Sequence, residues 1–142
     1  MSLPNIILRG VSGAYILQSG VGKLGLPAEA AAGIQEFAAT GVPAVKKMSP
    51  ETFGKFLSYS EIGIAAALLT PFVSNRAAGA AMGTFSAGLL AIYFRNEAMT
   101  QADRLRPSEA GTGLSKDLFM AAISGALLTS KSKKKAKKAK KK

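Results

Sequence analysis

Long apolar stretches separated by short polar breaks run through this chain. The clearest lies between Arg76 and Arg95, where Ala77 to Phe94 (AAGAAMGTFSAGLLAIYF) carry no formal charge over eighteen residues. As a helix this stretch would rise about 27 Å, close to the hydrocarbon thickness of a bilayer. The two arginines mark the water interfaces, and Tyr93 sits at one of them. The pattern predicts a membrane-crossing helix over 76–95, with the other apolar stretches as its partners.

The first of those covers 6–26, with Arg9 and Lys23 near its ends and Gln18 inside. Only Gly10 to Gly22 is free of charge, so crossing requires both cations to extend outward along their stems. A buried helix in a soluble bundle is the alternative. The N-terminus lacks the basic region and small-residue cleavage site of a secretory signal, so this helix is expected to stay in the mature protein. Pro27 ends it, and 28–39 follows as a short interfacial helix whose apolar face is broken by Glu29, Gln35 and Glu36. Thr40 to Pro50 reads as loop. Ser49, Pro50 and Glu51 then form a helix start, with serine as cap and proline in the first turn.

The second span is 53–72, carrying Lys55 near its start and Glu61 close to its middle. Pro71 and Asn75 mark a tight turn, which makes 53–72 and 76–95 antiparallel neighbours. Glu97 to Lys116 is a polar loop. Leu118 to Ser130 is apolar but short, so a last span over 114–130 needs its flanks to cross. The expected fold is all-α: an integral membrane four-helix bundle over 1–130, with one interfacial helix and a disordered lysine-rich tail over 131–142.

Charge sharpens the picture. The formal net charge is +11, but Lys131, Lys133, Lys134, Lys135, Lys137, Lys138, Lys140, Lys141 and Lys142 supply nine of it, and the body is nearly neutral. With four spans both termini share one side, and the tail makes that side cytoplasmic. Eleven cations then lie inside (Arg9, Arg76 and the tail) against eight outside, so the tail is the topogenic element. Beside a span it is expected to bind anionic lipid headgroups; non-specific nucleic-acid binding is the alternative, without aromatics or arginine for base recognition.

The chain has neither cysteine nor histidine. Thiolate and imidazole catalysis, His-ligated haem, iron–sulfur centres and most zinc sites are therefore outside its own chemistry. No paired carboxylates stand at useful spacing, and Gly20-x-Gly22 and Gly111-x-Gly113 follow no strand, so no nucleotide motif exists. The expectation is a non-enzyme with no cofactor and no metal.

Two sets of residues are candidates for a role. An ionisable group at mid-bilayer needs a partner: depth along antiparallel helices sets Gln18 level with Glu61, Lys23 nearer the interface can bend its stem toward it, and Arg9 is too far away. Gln18, Lys23, Glu61 and Asp117 form a candidate polar cluster. It is either a pocket for a quinone or lipid headgroup, or a buried polar pair that docks the first two helices. Gly79, Gly83 and Ala87 form a small-residue step that suits close helix packing, within the chain or between copies.

The order of features resembles the DoxX family of small bacterial four-helix membrane proteins, over roughly residues 6 to 129. It comprises Arg9 leading the first span and Gly22-Lys23 ending it, an interfacial helix, a second span with a central glutamate (YSEIGIAAALLTPF), and the Asn75-Arg76-Ala77-Ala78 turn. The resemblance implies a multi-pass protein of the bacterial plasma membrane. It also implies an accessory subunit of a membrane oxidoreductase complex, respiratory or antioxidant. The family's third-to-fourth loop often holds histidine, and this chain has none. A small transporter or a quinone- or lipid-binding protein using the Glu61 pocket is the alternative.

Overall fold

The structure, a computed structural model, describes residues 1–130. It is all-helical: α1 (Leu3–Gly22), α2 (Ala28–Ala39), α3 (Pro50–Leu69), α4 (Asn75–Arg95), the single turn α5 (Thr112–Ser115) and α6 (Asp117–Thr129). Short 3-10 turns occupy Pro43–Lys47 and Glu97–Met99. Among the described residues there is no strand, only an isolated bridge between Thr100 and Pro107.

Local chemistry sets the helix ends. Pro4 lies in the first turn of α1, where its missing N–H costs nothing, and Gly25 turns the chain afterwards with a φ of 71°. The first helix therefore runs from Leu3 to Gly22 and stops short of Leu26. Ser49 caps α3, its Oγ accepting from the Thr52 N–H at 3.2 Å. Ser74 caps α4 in the same way, accepting from the Ala77 N–H at 3.1 Å. Pro71 cannot continue a helix, so α3 ends at Leu69 and not at Phe72.

The long helices form two antiparallel pairs. α1 packs mainly on α3, and α4 mainly on α6. The turn from Thr70 to Ser74 links the pairs, and α3 and α4 touch far less closely than the members of each pair. The core where the pairs meet consists of Ile16, Ala65, Leu68, Ala78, Met82 and Leu127. The N-terminus and Ser130 lie at one end of the bundle, where Met1, Ser2, Asn75 and Ser130 border a common cleft.

Beside that apolar core the helices bury small and polar residues, and they leave many large apolar ones exposed. Arg9, Ser12, Gly13 and Gly20 of α1 are buried, as are Ser58 and Glu61 of α3, Gly79 and Ser86 of α4, and Ser124 of α6. Leu3, Ile7, Val11 and Tyr15 on α1, Phe56 and Tyr59 on α3, and Leu118 and Phe119 on α6 are exposed. A helix packed on a core in water keeps its large apolar side chains on the buried face and polar ones outside.

Among the described residues, Asn75–Arg95 is the one helix long and apolar enough to cross a membrane by these two properties alone. The expectation of four such helices is therefore met only in the helical architecture. α1 and α3 have the length, but Asn5, Arg9 and Gln18 dilute the first, and Lys55 and Glu61 the second. α6 has thirteen residues and rises about 20 Å, less than a hydrocarbon core of about 30 Å.

The end opposite the termini is closed by side chains that satisfy loop backbone. Gln35 of α2 is buried, its Nε2 donating to the carbonyls of Val45 (2.8 Å) and Met48 (2.9 Å). Gly41 lies directly against the backbone of Ala91 and Ile92, with no room for a Cβ, while Arg95 donates to its carbonyl at 2.7 Å. Tyr93, placed at an interface by its sequence position, is buried, and its hydroxyl donates to Leu105 O at 2.8 Å. In the loop beyond, Asp103 accepts from Arg106 Nε and from the N–H groups of Leu105 and Arg106. The Arg106 hydrogen bond, then the two backbone ones, hold its carboxyl down at about 2.

Candidate functional site

One face of α1 meets α3 along Arg9, Gly13, Ile16, Gly20 and Lys23, positions three or four apart. The glycines set the distance. A Cβ on Gly13 would strike Leu69, and one on Gly20 would press on Glu61 and Ile62 at 3.0 Å. At the second contact Ser58 donates to the Gly20 carbonyl at 2.7 Å. The cations stand at the two ends of this seam.

Lys23 closes one end. Its Nζ lies 2.9 and 3.1 Å from the two carboxylate oxygens of Glu61, and 2.5 Å from Ser19 Oγ. The Glu61 side chain is 6% exposed and that of Lys23 23%, so this is a largely desolvated ion pair. Removing one member of such a pair is far more costly than its net contribution.

Arg9 closes the other end, and here the sequence expectation is overturned. It does not extend outward to water but is buried at 2% exposure. Nε donates to Leu68 O (2.7 Å), one terminal nitrogen to Val73 O and Asn75 Oδ1 (both 2.8 Å), and the other to Ala67 O (2.8 Å) and Thr70 O (2.7 Å). All five N–H groups are used, four of them on carbonyls that the end of α3 and its turn leave without a helical partner. Those free carbonyls carry the negative end of the α3 dipole, which is why a cation folds inward there.

Gln18 is the second correction. It is exposed and makes no hydrogen bond to Glu61. Two residues beyond Ile16, it has turned about 200° away from the α3 face, and Ser19 takes the polar position instead. Position along the sequence sets depth in a helix, but the angle about the axis decides which neighbour a side chain meets.

A partly open cavity of about 980 Å3 runs among α1, α2, α3, α4 and α6. Its wall is mostly apolar, with Phe37, Phe53, Phe56, Leu57, Phe85 and Leu89 contributing. Lys23, Glu61, Ser19, Ser60, Thr84 and Asp117 bring polar atoms to it. Asp117 thus shares the cavity with the Lys23–Glu61 pair without bonding to either. The volume is at the upper end of the range for small-molecule sites, and the mixture of apolar wall and few polar groups suits an amphiphile.

Gly79 and Gly83 both face α6. A Cβ on Gly79 would press on Leu127 at 3.0 Å, one on Gly83 would strike Ser124 Oγ, and Ser124 donates to Gly79 O at 2.6 Å. Ala87, grouped with them by spacing, is exposed and takes no part. Thr84 and Gly88, from a parallel small-residue ridge on α4, line the cavity. The tail lysines expected to bind lipid, within 131–142, lie outside the described residues. Among the described residues no cluster of acidic, cysteine or histidine side chains could hold a metal ion.

Sequence reasoning missed the Arg9 fan, the Ser58–Gly20 and Ser124–Gly79 bonds, and the cavity itself. A signal existed for the first: an arginine inside an apolar run needs acceptors, and Thr70-Pro71 announces a helix end that offers them. Comparison with family models, with curated proteins and with solved structures finds no match to this chain.

Proposed function

We propose that the chain is a non-catalytic integral membrane protein whose long helices lie in a bilayer and whose cavity holds an apolar molecule with a polar head. The observation that carries this reading is the number of large apolar side chains on the outside of helices that join through buried glycines and serines. Exposed Leu3, Ile7, Val11, Leu118 and Phe119 suit lipid, while buried serines and glycines give the close contacts and hydrogen bonds that join helices there. In water such a surface would be an aggregation liability. The cavity then opens among helices already surrounded by hydrocarbon, which gives an amphiphile a route into it.

In this reading α1, α3, α4 and α6 cross the bilayer, the last with α5 and its flanks making up its length. Both termini face the cytoplasm of a bacterial cell, as the basic tail favours. Alkaline carbonate extraction tests the placement, since release into the supernatant would end it. The cavity is tested by filling it. Gly88 borders it with open space at its Cβ position, so Gly88→Leu should project into the void. Native mass spectrometry from mild detergent should show an amphiphile on the parent protein and none on Gly88→Leu. The helix itself should be no less stable, because leucine replaces a helical glycine at a gain of about 0.5–1 kcal/mol.

A second reading, an accessory subunit of a membrane oxidoreductase complex as the DoxX resemblance implies, is favoured by the outer face of α4. Ala77, Ala80 and Ala87 are exposed there and would let a partner helix approach closely. A mild-detergent pull-down on an N-terminal tag separates the two. Stoichiometric oxidoreductase subunits favour the accessory role, and elution of the protein alone favours the cavity.

A further inference from the structure

We propose that the cavity selects lipophilic cations: amines or onium ions whose charge is wrapped in apolar groups. The inference rests on the cavity-binding reading above and names its ligand class. The formal charges on the cavity wall are those of Lys23, Glu61 and Asp117, a balance of one negative. The donors point the same way. Lys23 spends its ammonium hydrogens on Ser19 and on both oxygens of Glu61, so nothing cationic is left over for an anionic head. Asp117 has no side-chain hydrogen bond among the described residues and is half-buried in a mostly apolar wall, which makes it an acceptor waiting for a donor or a positive charge. Phe53, Phe56 and Phe85 also line the cavity, and aromatic faces attract a desolvated cation. A neutral amphiphile would leave the Asp117 charge uncompensated, and an anion would be repelled by it.

The test uses the full chain in mild detergent, with the cavity-filled Gly88→Leu protein as the blank for detergent partitioning. Equilibrium dialysis would compare tetraphenylphosphonium with tetraphenylborate, which has the same shape and opposite charge, and with neutral N-phenyl-1-naphthylamine. The cation should bind at least about tenfold more tightly than the anion, and Asp117→Asn should remove most of that preference. Binding of the neutral probe with no preference for the cation would overturn the proposal and leave the cavity reading standing. A cation preference that survives Asp117→Asn would overturn it as well. If no probe binds above the blank, the cavity reading itself falls.

Discussion

The two helix pairs solve the same packing problem with different chemistry. In both, a serine on one helix donates to a glycine carbonyl on its neighbour: Ser58 to Gly20 between α1 and α3, and Ser124 to Gly79 between α4 and α6. Only the first pair adds buried charge, with the Arg9 fan at one end and the Lys23–Glu61 pair at the other. Beyond the Ser124 bond, the seam between α4 and α6 relies on small residues and, near its end, on Asn75 donating to Ser130 at 3.1 Å. Charged groups fix register because each has one place where its partners are; small residues fix only distance. The first seam is therefore specific and vulnerable to loss of any member, and the second is adaptable.

The largest effect should come from Arg9→Met, which leaves four carbonyls and the Asn75 side chain without their donor. A loss of about 3–5 kcal/mol is expected, read as the unfolding midpoint in detergent or as failure to accumulate. Arg9→Lys should recover little, since three donors replace five in a different geometry. A loss below about 1 kcal/mol would show that water replaces the guanidinium, and the contrast between the seams would collapse. Lys23→Met should come next at about 3 kcal/mol, because it strands the Glu61 carboxylate. The double change Lys23→Met with Glu61→Gln should regain most of that, and no recovery would mean that the pair is not the unit that matters.

On the other seam Gly79→Ala should cost less, about 1–2 kcal/mol, as α6 shifts by a few tenths of an ångström to admit the methyl group. A cost equal to that of Arg9→Met would show the small-residue seam to be just as rigid. The smallest effect lies outside both seams. The Asp103 carboxyl titrates at about 2, below its ordinary value of 3.8, so its contribution is complete above pH 4 and is lost as the pH falls toward 2. Carboxyl chemical shifts should follow that midpoint, and acid should loosen the 96–108 loop before either seam opens. A midpoint near 4 would remove the Arg106 contact from the picture.

Much of the fold was legible before the structure. Ser49 and Ser74 ahead of their helices, Pro71 after α3, and the uncharged run from Ala77 to Phe94 are local signals, and local backbone chemistry decides helix ends. The Lys23–Glu61 partnership was also legible, because a lysine stem is long enough to reach back from the interface to a carboxylate on the neighbouring helix. Gln18 was misassigned because depth leaves the angle about the axis open, and Ala87 because each four-residue step drifts about 40° round the helix, away from α6.

The sequence by itself determined where the longer helices lie to within about a turn, though not the short helical turns at Glu97–Met99 and Thr112–Ser115, that α3 and α4 run antiparallel, and that the body of the protein is nearly neutral. It also excluded thiolate and imidazole chemistry through the absence of cysteine and histidine. Only the tertiary structure decided that Arg9 turns inward, that glycines face serines across both seams, and that the two pairs stand far enough apart to leave a cavity with Asp117 on its wall. The reason is physical. Helix formation is written in neighbours along the chain, whereas a guanidinium finds its acceptors, and a void finds its walls, only after four helices have fixed their angles about their own axes.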